Sequence, residues 1–154
     1  MRFKTHLMFS FLMAFLIIKF FSIKETILFI ATFLFFSSLP DIDEYHSHIG
    51  RKFKPLSFLL NIFFGHRTIF HSVFVPLSFF ALFYLLNQPL LAIASSLGYL
   101  SHIFLDAFTH SGIKPFYPLN LQIKGPIQTG SLQEFVIFMV LLMFDSYLVI
   151  NWIF

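Results

Sequence analysis

The sequence predicts an all-α, polytopic membrane protein with about five membrane helices and one short interfacial helix. Hydrophobic residues make up 58% of the 154 residues and charged residues only 11%, whereas soluble domains carry roughly a quarter charged residues. The chain also contains 26 phenylalanines. A soluble domain of this size buries only about 70% of its chain surface, so many of these rings would face water. We therefore expect residues 1–154 to form one membrane-embedded domain.

Five apolar stretches predict the membrane helices: residues 7–21, 26–39, 69–86, 89–108 and 135–154. Because a bilayer core of about 30 Å needs about 20 helical residues, the last three stretches are long enough to span it. The first two are short, at about 15 residues each by the same measure. No small-residue cleavage site follows the first stretch, which predicts a retained helix rather than a signal peptide.

A sixth apolar run, residues 55–64, is too short to span a membrane. It follows the basic residues Arg51, Lys52 and Lys54. Basic residues beside a short apolar run are typical of a helix that lies in the membrane interface.

Basic residues also predict the orientation in the membrane. If the five stretches alternate in direction, one side receives Arg2, Lys4, Arg51, Lys52, Lys54, Arg67, Lys114 and Lys124, and the other receives Lys19 and Lys24. The positive-inside rule then places the N-terminus in the cytoplasm and the C-terminus outside. The net charge of +3 is thus explained by topology, and we expect membrane lipid rather than nucleic acid as a partner.

The same alternation gathers most of the histidines and aspartates, together with one glutamate, at the cytoplasmic end. These residues are His6, Asp41, Asp43, His66, His71, His102, Asp106 and Glu134. The spacing of His102 and Asp106 places both on one face of a helix. Because the chain has no cysteine, a metal must be held by imidazole, carboxylate or backbone oxygen, a ligand set that admits Zn, Mn or Fe.

Each polar residue also has a purely structural interpretation. A single histidine in an apolar helix is more often a packing residue than a ligand, and paired aspartates after a proline commonly cap helices. Four separate segments converging on one membrane face favour the metal site. His46 and His48 lie in a polar loop and are expected to be solvated, and Asp145, deep in the fifth stretch, is expected to be protonated or paired.

An ordered set of short motifs runs through the chain. It comprises Thr5-His6, Leu39-Pro40-Asp41-Ile42-Asp43, Gly50-Arg51-Lys52, His66-Arg67, His71-Ser72, Gly98-Tyr99, Ser101-His102, Asp106, Thr109, Thr129-Gly130-Ser131 and Glu134. This set resembles the YdjM-like family, whose members are classed as inner-membrane metal-dependent hydrolases. The resemblance covers nearly the whole chain.

That family is in turn distantly similar to the zinc-dependent phospholipases C and single-strand nucleases. The resemblance implies that His102 and Asp106 form the family's His-x3-Asp ligand pair, and that His6 and Asp41 are further ligands. Two features depart from the soluble enzymes: Gly130 stands four residues before Glu134, where they have a histidine, and Met1 stands where they have a mature N-terminal amine ligand. One or two divalent ions, with zinc first, are therefore expected rather than three.

The shared membrane face and the spacing of the polar residues predict a metal site, and the resemblance implies that the protein is a metal-dependent hydrolase of the inner membrane. At the cytoplasmic interface we expect it to act on a phosphoester such as a lipid headgroup or lipid-linked phosphate. The expected metal ligands are His6, Asp41, His66, His71, His102 and Asp106, and the expected catalytic residues are Asp43, Arg67 and Glu134. Two alternatives stay open. A metal-ion or proton transporter would distribute ionisable groups through the membrane depth, and a non-catalytic scaffold would carry no stoichiometric metal.

Overall fold

The computed structural model describes residues 1–44, 47, 50–52, 54–64 and 68–153. The α-helices are α1 (Phe3–Phe21), α2 (Thr26–Ser38), α3 (Lys54–Phe64), α4 (Phe74–Leu85), α5 (Pro89–Ala107) and α6 (Leu132–Ile153). Two short 3₁₀ turns, Leu39–Asp43 and Ile69–His71, follow α2 and precede α4. The predicted all-helical membrane architecture is confirmed.

The first two membrane segments, Phe3–Phe21 and Thr26–Asp43, are longer than the predicted stretches, and the helix in the third stretch, α4, is shorter. Phe3–Phe21 and Thr26–Asp43 are both long and apolar enough to cross a membrane, as are Pro89–Ala107 and Leu132–Trp152. Apolar runs underestimated the first two because α1 begins with the polar turn around Thr5, and helical backbone continues beyond α2 into the 3₁₀ turn. Both segments therefore approach the length that a bilayer requires.

The predicted helix at residues 69–86 is interrupted before α4. Ser72 has extended backbone, and α4 contains only 12 residues, or about 18 Å of helix. Pro76 explains the late start, since a proline ring clashes with helical backbone four residues earlier but fits the first turn of a helix. Helix α3 is present where the interfacial helix was predicted, while its location in the interface stays a prediction.

Helix α5 forms the centre of the bundle. It runs antiparallel to α1, because Ser10 contacts Ser101 while the earlier His6 contacts the later Asp106. It runs parallel to α2, because Gly98 lies against Phe33 and His102 bonds Ser37. Two apolar clusters surround it: Ala14, Ile18, Phe29, Phe33 and Ala94 form one, and Phe36, Tyr99, Ile103 and Ile113 form the other. Gly98 allows α2 and α5 to touch, because a Cβ there would lie 2.3 Å from the carbonyl oxygen of Phe33.

Helix α6 packs on the outside of the bundle against α1. Only 6% of the residues in its apolar 18-residue stretch are buried, compared with 61% in the corresponding stretch of α5. Glu134 bonds Thr5 at one end of the pair, and Trp152 packs edge-on to Phe15 towards the other, so the two helices run parallel. These directions bring five helix ends together at one end of the bundle.

Candidate metal centre

Six buried or nearly buried polar side chains meet at that end of the bundle. They are His6 from the first turn of α1, Asp41 and Asp43 from the 3₁₀ turn after α2, His71 from the turn before α4, and His102 and Asp106 from α5. Five of them are at most 2% exposed, and the side chain of Asp41 is 15% exposed. Burying so many ionisable groups is costly unless they pair or bind an ion.

Asp106 lies at the centre of this cluster. One carboxylate oxygen, Oδ1, contacts the N-terminal amine of Met1 and lies 3.2 Å from Nε2 of His6. The other, Oδ2, lies 3.5 Å from Nε2 of His71 and 3.9 Å from Nε2 of His102. Three imidazoles therefore converge on one carboxylate, as ligands around a shared cation do.

His102 gives the clearest sign that a cation belongs here. Its Nδ1 donates a hydrogen bond of 2.7 Å to the carbonyl oxygen of Ser37. A neutral ring that donates from Nδ1 carries its lone pair on Nε2, and this atom has no hydrogen bond within the described part of the chain. It faces Asp41 Oδ1 at 3.6 Å and Asp106 Oδ2 at 3.9 Å. Three acceptors facing one another are stabilised by a positive ion between them.

The same bond to Ser37 has a second consequence. Metal-bound histidines usually donate their other ring N–H to a backbone carbonyl or carboxylate, which fixes the tautomer and the ring orientation. His102 satisfies this requirement with the last turn of α2. His6 stacks on His102 with ring centroids 3.8 Å apart and planes 5° apart. The stacking fixes the orientation of His6 relative to His102.

Two overlapping groups of residues have the spacing of metal ligands. In one group, His6, His102 and Asp106 offer donor atoms within 4.8 Å of one another, and in the other, Asp41, His71 and His102 do so. Bonds of about 2.1 Å to a tetrahedral ion place its donor atoms about 3.4 Å apart. The contacts of 3.2 to 3.9 Å around Asp106 and His102 are close to this value.

Asp43 and His71 are arranged as an orienting pair. Nδ1 of His71 lies 3.6 Å from Asp43 Oδ2, while Nε2 faces Asp106. Burial alone would lower the pKa of His71, but the two carboxylates outweigh it and raise this pKa to about 9. The pocket therefore favours positive charge at His71, and Asp43 lies on the side of the ring away from Asp106.

Glu134, a predicted catalytic residue, belongs to neither ligand group in the described part of the chain. Its carboxylate accepts hydrogen bonds from the backbone N–H of Arg2, from Thr5 Oγ1 at 3.1 Å and from the N–H of Gly130 at 2.6 Å. These bonds join the start of α1 to the start of α6. Glu134 thus bonds Thr5, the residue directly before the candidate ligand His6.

Other predicted residues fall elsewhere. His66, a predicted ligand, and Arg67, a predicted catalytic residue, lie outside the described residues, as do His46 and His48. Asp145 is 5% exposed, and neither of its oxygens has a hydrogen bond within the described ranges. The expected partner for Asp145 is therefore not among those residues, and its protonation stays a prediction.

Sequence reasoning missed two contributors to the centre. The carbonyl of Ser37 has no side-chain signature, because every residue carries the same group. The amine of Met1 contacts Asp106 because α1 starts only two residues later. The resemblance pointed to an N-terminal amine at this place, but Met1 was counted as a departure from that pattern.

Comparison with known proteins shows the family. Residues 1–153 match the family described as YdjM inner membrane protein. The chain is 37% identical over 99 residues to the uncharacterized protein YvsG of Bacillus subtilis, which is 62% of either chain. It is 34% identical over 119 residues to the inner membrane protein YdjM of Escherichia coli, covering 71% of this chain and 61% of that one.

The matched regions thus span about three fifths of the length of these curated relatives. No solved structure matches the chain. The similarity to phospholipases C and single-strand nucleases therefore stays a prediction.

Proposed function

Since the chain belongs to the YdjM family of inner membrane proteins, we propose that it is a membrane-bound, metal-dependent hydrolase of phosphoesters, with a lipid headgroup or lipid-linked phosphate as substrate. The observation that best supports a metal site is the lone pair of His102 Nε2. It faces two carboxylates, while the hydrogen bond from Nδ1 to Ser37 fixes the ring. The proposal takes His6, Asp41, His71, His102 and Asp106 as ligands of one or two divalent ions.

The donor set fits zinc, with manganese or iron as alternatives, because it combines imidazoles with carboxylates. When bound, such an ion supplies a Lewis acid for a phosphoryl oxygen and a water molecule of lowered pKa. The chain itself orients the ligands: Asp43 faces Nδ1 of His71, and Ser37 fixes His102. Glu134 holds α1 against α6 and so keeps His6 in place.

A transporter would need polar groups along a path through the membrane. Among the described residues, the ligand groups lie at one end of the bundle, and Asp145 is the deep ionisable group. Asp145 faces a groove lined by Met8, Phe11 and residues of α6, on the outer side of the bundle. A centre confined to one end favours chemistry at the interface over transport.

The proposal predicts turnover that depends on the cluster. Detergent-purified protein loaded with zinc or manganese should hydrolyse dioctanoyl phosphatidic acid or 4-nitrophenyl phosphate. The double variant His102→Ala, Asp106→Ala should lose at least about 100-fold of that activity, since ligands matter more than the orienting groups whose loss costs 10- to 100-fold. Phosphate release measures it.

The variant His110→Ala is the matched control, because His110 is an exposed histidine near the same end and should keep full activity. Absence of hydrolysis in the metal-loaded native protein, or equal turnover in the double variant, would refute the enzymatic proposal.

We place the metal centre at the cytoplasmic face, because eight basic residues were assigned to that side and two to the other. An alkaline phosphatase reporter fused after Phe154 should be active and a green fluorescent protein fused there dark. Fluorescence of the C-terminal fusion would show that the protein has the opposite orientation and that the centre lies at the periplasmic face.

A further inference from the structure

A cleft of about 190 Å³ lies beside the metal centre, between the start of α1 and the start of α6. Arg2, Lys4 and Thr5 form one wall, and Gly130, Ser131, Glu134, Phe135 and Phe138 form the other. Thr5 precedes the ligand His6, so the two Cα atoms are about 3.8 Å apart. The cleft is therefore adjacent to the cluster but has its own lining.

The rim of the cleft carries two available cations. Arg2 and Lys4 are exposed, and neither side chain has a hydrogen bond or ion pair to any residue in the described ranges. The guanidinium of Arg2 lies against Gly130, where an added Cβ would be 3.2 Å from Nη2. Alanine at Gly130, with its φ of +83°, would be strained and would press on Arg2.

Glu134 is the one carboxylate in the lining, and its oxygens are already engaged. They accept from the backbone N–H of Arg2, from Thr5 Oγ1 and from the N–H of Gly130. The side chains of Arg2 and Lys4 consequently keep their donors for a ligand. A guanidinium beside an ammonium suits a phosphate group, which accepts several charge-assisted hydrogen bonds.

The opposite wall is apolar and belongs to a helix long enough to cross the membrane. Phe135 is 56% exposed, and Phe138 follows it by three residues on the same side of α6. Cations near the helix start and rings further along the helix match the order of a phospholipid, whose phosphate lies above its acyl chains.

We infer that this cleft binds the phosphate of an anionic phospholipid, with Arg2 and Lys4 on the phosphate and Phe135 and Phe138 along the first part of an acyl chain. The inference rests on the proposed function for what happens to the lipid afterwards. Binding itself requires only the cleft. Both basic residues therefore have a role besides orienting the protein in the membrane.

The test compares lipid binding by the native chain and by the double variant Arg2→Gln, Lys4→Gln. Calorimetric titration in a non-ionic detergent would use dioctanoyl phosphatidic acid as the probe and dioctanoyl phosphatidylcholine as the comparison lipid. The variant should bind phosphatidic acid roughly five- to tenfold more weakly, the effect of removing two partly exposed ion pairs. Higher salt should reduce this difference.

The matched control is Lys114→Gln, Lys124→Gln, which removes the same charge from the same end of the bundle but outside the cleft lining. It should bind phosphatidic acid as the native chain does. An equal loss of affinity in both double variants would indicate general charge attraction and would refute the cleft as the binding site. Unchanged binding in the Arg2, Lys4 variant, or equal native affinity for the two lipids, would do the same.

Inorganic phosphate and glycerol 3-phosphate distinguish the source of the phosphate group. If either displaces the lipid at concentrations similar to that of phosphatidic acid, the acyl contact is refuted and the site takes a soluble phosphate. Metal content of the Arg2, Lys4 variant should equal that of the native chain. Failure of the hydrolase proposal would leave lipid binding intact without turnover, so the two failures are separable.

Discussion

The double variant His102→Ala, Asp106→Ala is expected to lose nearly all of its bound metal. His102 belongs to both groups of potential ligands, and Asp106 contacts the rings of His6, His71 and His102. Removing both residues therefore disrupts either ion position. We expect roughly one or two divalent ions per native chain and about a tenth of that or less in the variant, measured by elemental mass spectrometry of detergent-purified protein.

The cluster is buried, so a misfolded variant could lose metal for a trivial reason. His102→Gln with Asp106→Asn keeps the side-chain volumes and removes the ligand chemistry, while His110→Ala removes an exposed histidine instead. Size-exclusion profiles of all variants should match that of the native chain. Equal, substoichiometric metal in the native chain and the conservative variant would refute the centre and favour the scaffold alternative.

Added zinc provides an independent measurement. A ligand present at 100 times its Kd stabilises the folded state by about 2.7 kcal/mol, so the native chain should melt several degrees higher with zinc than with a chelator. The His102→Gln, Asp106→Asn variant should show no such increase. A similar zinc effect on both would place the binding elsewhere on the chain.

The convergence of the candidate ligands was predictable from the sequence because alternating helices return to the same side of a membrane. His6 begins the first helix and His102 lies near the end of the fourth membrane stretch, so alternation alone brings them together. The structure stacks their rings at 3.8 Å. No detailed geometry was needed for this step, since the bilayer restricts helix direction far more than a soluble environment does.

The roles of individual carboxylates were not predictable in the same way. Asp41 and Asp43 lie two residues apart, and sequence spacing does not show which of them faces His102. In the 3₁₀ turn the chain direction sends Asp41 towards His102 and Asp43 towards the far side of His71. Glu134 is similar: besides Thr5 Oγ1, its carboxylate accepts hydrogen bonds from the backbone N–H groups of Arg2 and Gly130, and backbone groups have no signature in the sequence.

The length of α4 illustrates a different limit. Apolar residues dominate from Ile69 through Leu86, with only His71, Ser72 and Ser78 as polar residues, so a count of apolar residues predicts one long helix. The backbone constraint of Pro76 delays the helix to Phe74, and the freed segment places His71 in the cluster. The proline was visible in the sequence, but its effect on the position of His71 depends on how the preceding turn packs against α5.

Gly98→Ala is expected to destabilise the protein even though alanine is the better helix former. The substitution gains about 1 kcal/mol of helix propensity. The new Cβ, however, would lie 2.3 Å from the carbonyl oxygen of Phe33 and 3.0 Å from its Cα. Those atoms are backbone and cannot rotate away, so α2 and α5 must separate by about 1 Å to restore ordinary contact. We expect a net loss of roughly 2 kcal/mol or more, seen as a lower melting temperature.

The same displacement should reach the metal centre. Phe33 lies one turn before Ser37 on α2, and Gly98 lies one turn before His102 on α5, so a separation at the first pair lengthens the 2.7 Å bond at the second. Metal affinity should therefore fall although no ligand has been changed. Ala31→Val, which adds carbon atoms at an exposed position on α2, should alter neither property. A Gly98→Ala protein that melts and binds zinc like the native chain would show that the α2–α5 contact does not position His102.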